Sequence, residues 1–333
     1  MKIAVIGSGA IGGLVAAYLK IKGQGVSVVA LPDTVNKVRE TGLKISGIRG
    51  DFSVAIDISE KLDFCPDLAI FATKTQDIES AVRRNHEFLQ DSVILTTQNG
   101  LQAEKIVARF VPAENIISSI VMFGSTYLEP GKIVHNFEGS WIIGSAFGIN
   151  NAKVIEVSSV LNQIFPVIVA EDIKGMKYLK VFVNANNCIP AILGTSMQEA
   201  FSDLEVSKIS MAIWKEAFDI VSRSGIKLES LPDFPLERLT KLTSMPLEES
   251  AKIYSGIMLG LSKEPFYGSI LQSIKRGKAS EIDYINGEFV NLAKANNLGA
   301  LLNEKLISLV HQVERTGKFF TKEELFKELM SLR

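Results

Sequence analysis

The chain is poor in the residues that most often mark a reaction centre. Its 333 residues include two cysteines, Cys65 and Cys188, and three histidines, His86, His135 and His311. Two cysteines exclude a disulfide framework and a multi-cysteine zinc site. No histidine has the spacing of a triad or a metal site, so each reads as structural or surface. A proton donor therefore falls to lysine, tyrosine or a carboxylate. Charge of one sign is missing too: 36 basic against 37 acidic side chains leave a net charge of −1. That balance gives no footprint for nucleic acid or an anionic membrane. No apolar run is long enough to span a bilayer, and glycines break the apolar start too soon for a signal peptide. The expectation is a soluble, cytoplasmic protein without a metal site. With 47% hydrophobic and 22% charged residues, the length suits two globular domains.

What is present is concentrated at the start. Residues 3–6, Ile-Ala-Val-Ile, read as a buried parallel strand, and Gly7, Gly9 and Gly12 follow in the spacing G-x-G-x-x-G. Gly7 permits the tight turn, Gly9 lets the backbone approach a pyrophosphate, and Gly12 lets the next helix pack close. Phosphates would sit at the N-terminus of a helix over 10–22, beside Ser8, Ala10 and Ile11, where unpaired N–H groups favour negative charge. The bland alternative is a plain strand-to-helix turn.

The first half then alternates strand and helix: strands at 25–30, 68–73 and 93–97, helices at 34–41 and 76–89. This order predicts a Rossmann-type doubly wound parallel sheet. Segments rich in Ile, Val, Ser and Thr over 115–147 predict antiparallel strands added to that sheet, closed by a helix at 153–163 and a strand at 167–170. Beyond Asp172 the apolar spacing is helical, through 178–193, 206–224, 248–261 and 280–296. The reading is an α/β domain over 1–172 and an all-α substrate domain over 173–333, with ligands expected between them.

Two loops after predicted strands carry chemistry. Lys74 follows one and Asn99 the other. Lys74 can pair with a cofactor phosphate or a substrate carboxylate, and Asn99 offers a donor and an acceptor. The alternatives are a solvated loop lysine and a turn asparagine. The second strand ends at Leu31 without the acid that marks NAD sites, Asp33 comes only after Pro32, and Lys37 and Arg39 follow, which tilts the choice to NADPH. In the helical half Lys180 and Asn184 lie four apart, with Asn187 and Cys188 extending their face. Ser269 and Glu281 come much later. Spacing alone assigns none of these a role. Tyr18 and Lys22 match a Y-x-x-x-K motif, but on the helix beside the glycine turn, away from where that chemistry is built.

Taken in order, GSGAIG, Lys74 in FATKTQD, Asn99 in TTQNG, Lys180-x-x-x-Asn184, Ser269 in SILQ and Glu281 in EIDYINGEF resemble the ketopantoate reductase family over nearly the whole chain. The resemblance implies NADPH-dependent reduction of a 2-keto acid, ketopantoate to pantoate, in pantothenate and coenzyme A synthesis. It makes Lys180 the general acid at the carbonyl oxygen, with Glu281 holding lysine, substrate and cofactor in register. Asn184, Ser269, Asn99 and the residue at 188 would bind substrate, and Lys74 and Asn99 the cofactor. It also implies dimerisation through the helical domain.

The chain departs from the pattern. Cys188 stands where a second asparagine is usual, and Asn187, one position earlier, is placed to substitute in part. Leu31 replaces an arginine that grips the 2′-phosphate, Tyr178 a tryptophan, and Ser273 an aspartate. A paralogue acting on another 2-keto acid, or a non-catalytic NADPH sensor, are the alternatives.

Overall fold

The computed structural model describes residues 1–261 and 264–330. The chain divides into two compact units, Met1–Lys174 and Gly175–Arg333.

The first unit begins with β1 (Lys2–Ile6), α1 (Ala10–Ile21), β2 (Gly25–Val29) and α2 (Pro32–Thr41). Three short strands follow, β3 (Leu43–Gly47), β4 (Phe52–Val54) and β5 (Asp57–Ser59). Then come β6 (Leu68–Phe71), α3 (Ile78–Leu89), β7 (Val93–Thr96) and α4 (Ala103–Val107). The unit ends with β8 (Ile116–Val121), β9 (Gly124–Glu129), β10 (Lys132–Phe137), β11 (Trp141–Ser145), α5 (Ala152–Leu161) and β12 (Val167–Val169).

Eight strands form one sheet in the order β12-β11-β8-β7-β6-β1-β2-β5. Ile3–Ile6 are flanked in parallel register by Val26–Val29 on one side and Leu68–Phe71 on the other. The strand order therefore reverses at β1, and the crevice beyond its C-terminal end is where such sheets bind ligands. β11 runs antiparallel to β8, as the Ile- and Val-rich segment predicted. Continuous apolar strands bury side chains on both faces, with Leu14, Val15 and Leu19 of α1 on one and Ile78 and Val82 of α3 on the other.

One expectation is corrected. β9 and β10 do not join the main sheet. They form a second sheet with β3 and β4, in the order β4-β3-β10-β9, packed against α1. His135 of β10 is fully buried, its Nδ1 2.9 Å from the Tyr18 hydroxyl and its Nε2 3.1 Å from the Phe137 carbonyl. Burial holds its pKa below the usual histidine value, which suits the neutral ring that accepts one bond and donates the other. Tyr18 is thus a packing residue of α1. Trp141 of β11 is fully buried and donates to Ser119 Oγ at 2.9 Å.

The second unit is helical: α6 (Ile173–Ala185, whose first residues close the first unit), α7 (Cys188–Leu193), α8 (Met197–Ser202), α9 (Leu204–Arg223) and α10 (Leu236–Ser244). α11 (Leu247–Leu259), α12 (Ser269–Lys275), α13 (Asn286–Ala295), α14 (Leu301–Thr316) and α15 (Lys322–Met330) complete it. α9 is the central helix, packed by α8, α10, α11, α13 and α14. Its Trp214 is buried and donates to the Phe182 carbonyl at 2.8 Å.

The continuous helix expected over 178–193 is broken between Ala185 and Cys188. Pro190 explains the break. It has no N–H for the carbonyl four residues earlier, and its ring would clash with that carbonyl. The apolar spacing is similar on both sides, so periodicity hides the interruption. Asn187 and Cys188 consequently do not extend the face of Lys180 and Asn184.

Candidate active site

The glycine turn is built by close approach. Gly7 has φ +103°, and a Cβ there would lie 2.7 Å from the Thr73 nitrogen. A Cβ on Gly12 would lie 1.9 Å from the Gly7 carbonyl oxygen and 2.7 Å from the Ala72 Cβ. Both positions exclude a side chain. Gly9 differs: nothing lies within 4 Å of its would-be Cβ. The packing does not require glycine there, and the space beside the start of α1 is open, as the close approach of a phosphate to this backbone would need. Ser8 is buried, and Ala10 and Ile11 are partly buried on the first turn of the helix.

The loops after β6 and β7 are tied to that turn. Gln98 is buried and its Nε2 donates to the carbonyls of Phe71 at 2.9 Å and Thr73 at 2.8 Å. The Thr97 hydroxyl donates to the same Phe71 carbonyl at 2.9 Å. These bonds fix the backbone on which Lys74 and Asn99, both partly buried, are carried. The Thr73 hydroxyl is buried and has no hydrogen-bond partner among the described residues. An orphaned hydroxyl beside an open glycine cradle fits a polar ligand at this end of the sheet. Gln98 and Thr73 were not singled out from the sequence, although both neighbour residues that were.

The cations that favoured NADPH are otherwise engaged. Arg39 donates through Nε and Nη2 to the Ile58 carbonyl, at 3.2 and 3.0 Å. Lys37 pairs with Glu40 at 3.4 Å. Leu31 at the end of β2 is 69% exposed and offers no charge.

In the second unit, Lys180 and Asn184 are partly buried on α6. Loss of hydration lowers the Lys180 pKa to about 8, opposed by the nearby Asp233 carboxylate. Asp233 is a residue that sequence reasoning missed. It sits at the tip of a tight loop closed by reciprocal backbone bonds between Leu231 and Phe234, at 3.1 and 3.2 Å. The Pro232-Asp233 pair that makes this turn is a visible signal for the loop, though not for its charge reaching Lys180.

Cys188 is corrected from substrate ligand to core residue. It is fully buried, and burial pushes its thiol up to about 12. Its Sγ lies 3.9 Å from Asn286 Nδ2, which donates to Asn303 Oδ1 at 3.0 Å, and Asn303 Nδ2 in turn donates to Glu216 at 2.7 Å. The break before α7 turns this side chain inward.

Ser269 is exposed at the first position of α12. Glu281 is partly buried and precedes a 3-10 turn at Ile282–Tyr284. Two bonds from α14 clamp this segment. His311 Nε2 meets Asp283 Oδ1 at 3.0 Å, and Glu314 accepts from the Ser280 N–H at 2.7 Å. His311 Nδ1 also meets Glu314 at 2.8 Å. Although desolvation lowers the His311 pKa, its hydrogen bonds to Glu314 and Asp283 outweigh it and raise the pKa above the usual value. His311 is thus a clamp behind the Glu281 segment. Among the described residues, no cluster of His, Cys, Asp and Glu could hold a metal, and no helix is long and apolar enough to cross a membrane.

Comparison with known proteins follows the same division. The family pattern described as ketopantoate reductase PanE/ApbA matches residues 3–147, and its C-terminal counterpart matches 172–314. A 2-dehydropantoate 2-reductase of Pyrococcus horikoshii is 30% identical over 320 residues, covering 95% of this chain and 99% of that protein. A PanE/ApbA family ketopantoate reductase structure from Ralstonia eutropha superposes with a TM-score of 0.79 at 23% identity, covering 95% and 99% of the two chains. The ternary structure of a D-mandelate dehydrogenase with NADH and anilino(oxo)acetate gives 0.81 at 23% identity, with the same coverage. These two structures speak to the fold. The two pattern matches and the near full-length relative place the chain in the ketopantoate reductase family of oxidoreductases.

Proposed function

We propose that this enzyme reduces the C2 carbonyl of a 2-keto acid, ketopantoate to pantoate, in the cytoplasm, with NADPH as reductant and Lys180 as general acid. The observation that carries the reading is that α6 carries Lys180 and Asn184 one turn apart and both partly buried, where loss of hydration holds the lysine below its ordinary pKa, at about 8. An acid with a pKa near the working pH balances the protonated fraction against ease of transfer, and such a group is worth roughly 10²–10⁴ in rate. When bound, the dinucleotide supplies the hydride. Gly7, Ser8, Gly9, Ala10, Ile11 and Gly12 would hold its pyrophosphate through backbone N–H groups, with Lys74 on the phosphate side and Asn99 and Glu281 toward the reacting end. Lys180 gives its proton to the oxygen as the carbonyl becomes a hydroxyl, and its charge stabilises that oxygen on the way. Glu281 orients the ammonium, and Asn184 and Ser269 hydrogen-bond the substrate.

The sheet end of the dinucleotide site favours a second reading, in which NADH serves as well. Arg39 is bonded to the Ile58 carbonyl, Lys37 is paired with Glu40, and Leu31 is uncharged, so none of these three is poised for a 2′-phosphate. The deciding experiment is cofactor oxidation over a panel of 2-keto acids, run with NADPH and with NADH. Ketopantoate is expected to support turnover. If another acid is reduced and ketopantoate is not, the substrate assignment fails. Leu31→Arg should shift the NADPH to NADH preference by roughly 10- to 100-fold, the worth of a charge-assisted hydrogen bond to phosphate.

A further inference from the structure

The end of β7 is held by polar groups that a purely apolar strand would not need. β8 reads Ile-Ile-Ser-Ser-Ile-Val, and both its serines are buried, as are Thr96 of β7 and Glu104 on the first turn of α4. The Ser118 hydroxyl donates to Glu104 Oε1 at 2.6 Å, and the Thr96 hydroxyl donates to the same oxygen at 2.7 Å. Ser119 Oγ donates to the Thr96 carbonyl at 2.6 Å and accepts from the Trp141 ring nitrogen. Taking a carboxylate out of water is costly, and packing alone would be met by a leucine at 104. What the carboxylate adds over a leucine is a fixed bond direction.

The element it fixes is a loop. Thr96 is the last residue of β7, and Glu104 lies two residues beyond the end of loop 97–102, so the bond between them closes the loop across its base. Asn99 is carried midway along it, beside Gly100, whose φ of +85° turns the chain back. Thr97 and Gln98 hold the arm that leaves β7, through the Phe71 and Thr73 carbonyls. Glu104 holds the arm that enters α4. Asn99 lies between the two anchors.

We propose that Glu104 is a positioning residue of this enzyme: by closing the base of loop 97–102 it sets where the Asn99 carboxamide meets cofactor and substrate. This rests on the 2-keto acid reductase reading above, in which Asn99 touches both. The test is a double-mutant cycle on kcat/KM for the 2-keto acid that the wild type reduces best, at saturating dinucleotide. Glu104→Leu keeps the bulk and removes the acceptor, and should lower kcat/KM roughly 10- to 100-fold, as small misplacements of a substrate-contacting group do. Glu104→Gln retains an oxygen that can accept from both hydroxyls and should stay within about threefold of wild type. In an Asn99→Ala background Glu104→Leu should change kcat/KM by no more than about threefold, because the group it positions is gone. If circular dichroism shows Glu104→Leu to be unfolded, Thr96→Val removes one of the two bonds at nearly constant shape and should show the same dependence on Asn99. Equal falls with and without Asn99, a fall for Glu104→Gln as deep as for Glu104→Leu, or no fall at all overturn the assignment of Glu104 while the reductase reading stands. A wild-type enzyme that reduces no 2-keto acid overturns both.

Discussion

The proposed site at the glycine turn would be made from backbone, whereas the proposed site in the helical unit would be made from side chains. Gly7, Gly12 and the Ala72–Thr73 peptide meet because no side chain intervenes, and Gln98 locks the adjoining loops by bonding to main-chain carbonyls. Lys180, Ser269 and Glu281 come from segments far apart in the chain, and each is held by a different device. Burial tunes Lys180, hydrogen bonds from the Met197 N–H and to Gln198 Oε1 anchor Phe266 just before Ser269, and an α14 clamp holds the Glu281 segment. A backbone site is harmed by adding atoms, a side-chain site by removing them. Each kind of damage should also be read by a different measurement.

The largest effect should come from removal in the helical unit. Lys180→Ala should lower kcat by about 10²–10⁴ while the dinucleotide Kd stays nearly constant. Steady-state rates and a binding titration check both halves of that statement, and unchanged turnover would remove the assigned acid. In the wild type, kcat for reduction should fall as pH rises through about 8, because the folded enzyme loses the acidic proton there. A flat profile from pH 7 to about 10 would break the link between this lysine and the chemistry.

Addition at the glycine turn should follow. Gly12→Ala forces a Cβ against the Gly7 carbonyl and should cost about 1–3 kcal/mol of stability as well as dinucleotide binding. Gly9→Ala meets nothing, so its melting temperature should stay near the wild-type value while the dinucleotide Kd rises. The contrast between the two alanines sharpens the division between packing and binding. If Gly9→Ala binds normally, the open space there is not used by phosphate.

The smallest effect belongs to the clamp. His311→Gln should cost no more than about 1 kcal/mol, since the histidine is partly exposed and its ion pairs are screened. The raised pKa fixes the sign. The stabilisation is full below the ordinary histidine value and is lost as pH rises through the raised folded value. Melting curves of wild type and variant should therefore converge toward alkaline pH.

This contrast also explains what could be read in advance. Glycine spacing and apolar strands encode local geometry, so the turn, the central strands and the doubly wound order were legible. β3 and β4 were not, because Leu43–Gly47 and Phe52–Val54 are short, and the sheet they join depends on pairing with distant β10. Pro190 was visible, but its effect was lost inside a helical pattern that continues beyond it. Ser269 and Glu281 stood out only through family resemblance, as nothing near them in sequence foretells that α14 clamps the Glu281 segment. The reach of Asp233 to Lys180 depends on three-dimensional neighbours and was not legible.

The chain's two tryptophans fall one to each unit, Trp141 against Ser119 and Trp214 against the Phe182 carbonyl. Each unit therefore carries a single tryptophan, in a buried setting, that can be excited apart from the tyrosines. Trp141→Phe and Trp214→Phe would turn the protein into a pair of one-colour reporters. Denaturation followed by emission would then show whether the nucleotide unit and the helical unit melt as one cooperative body or as two.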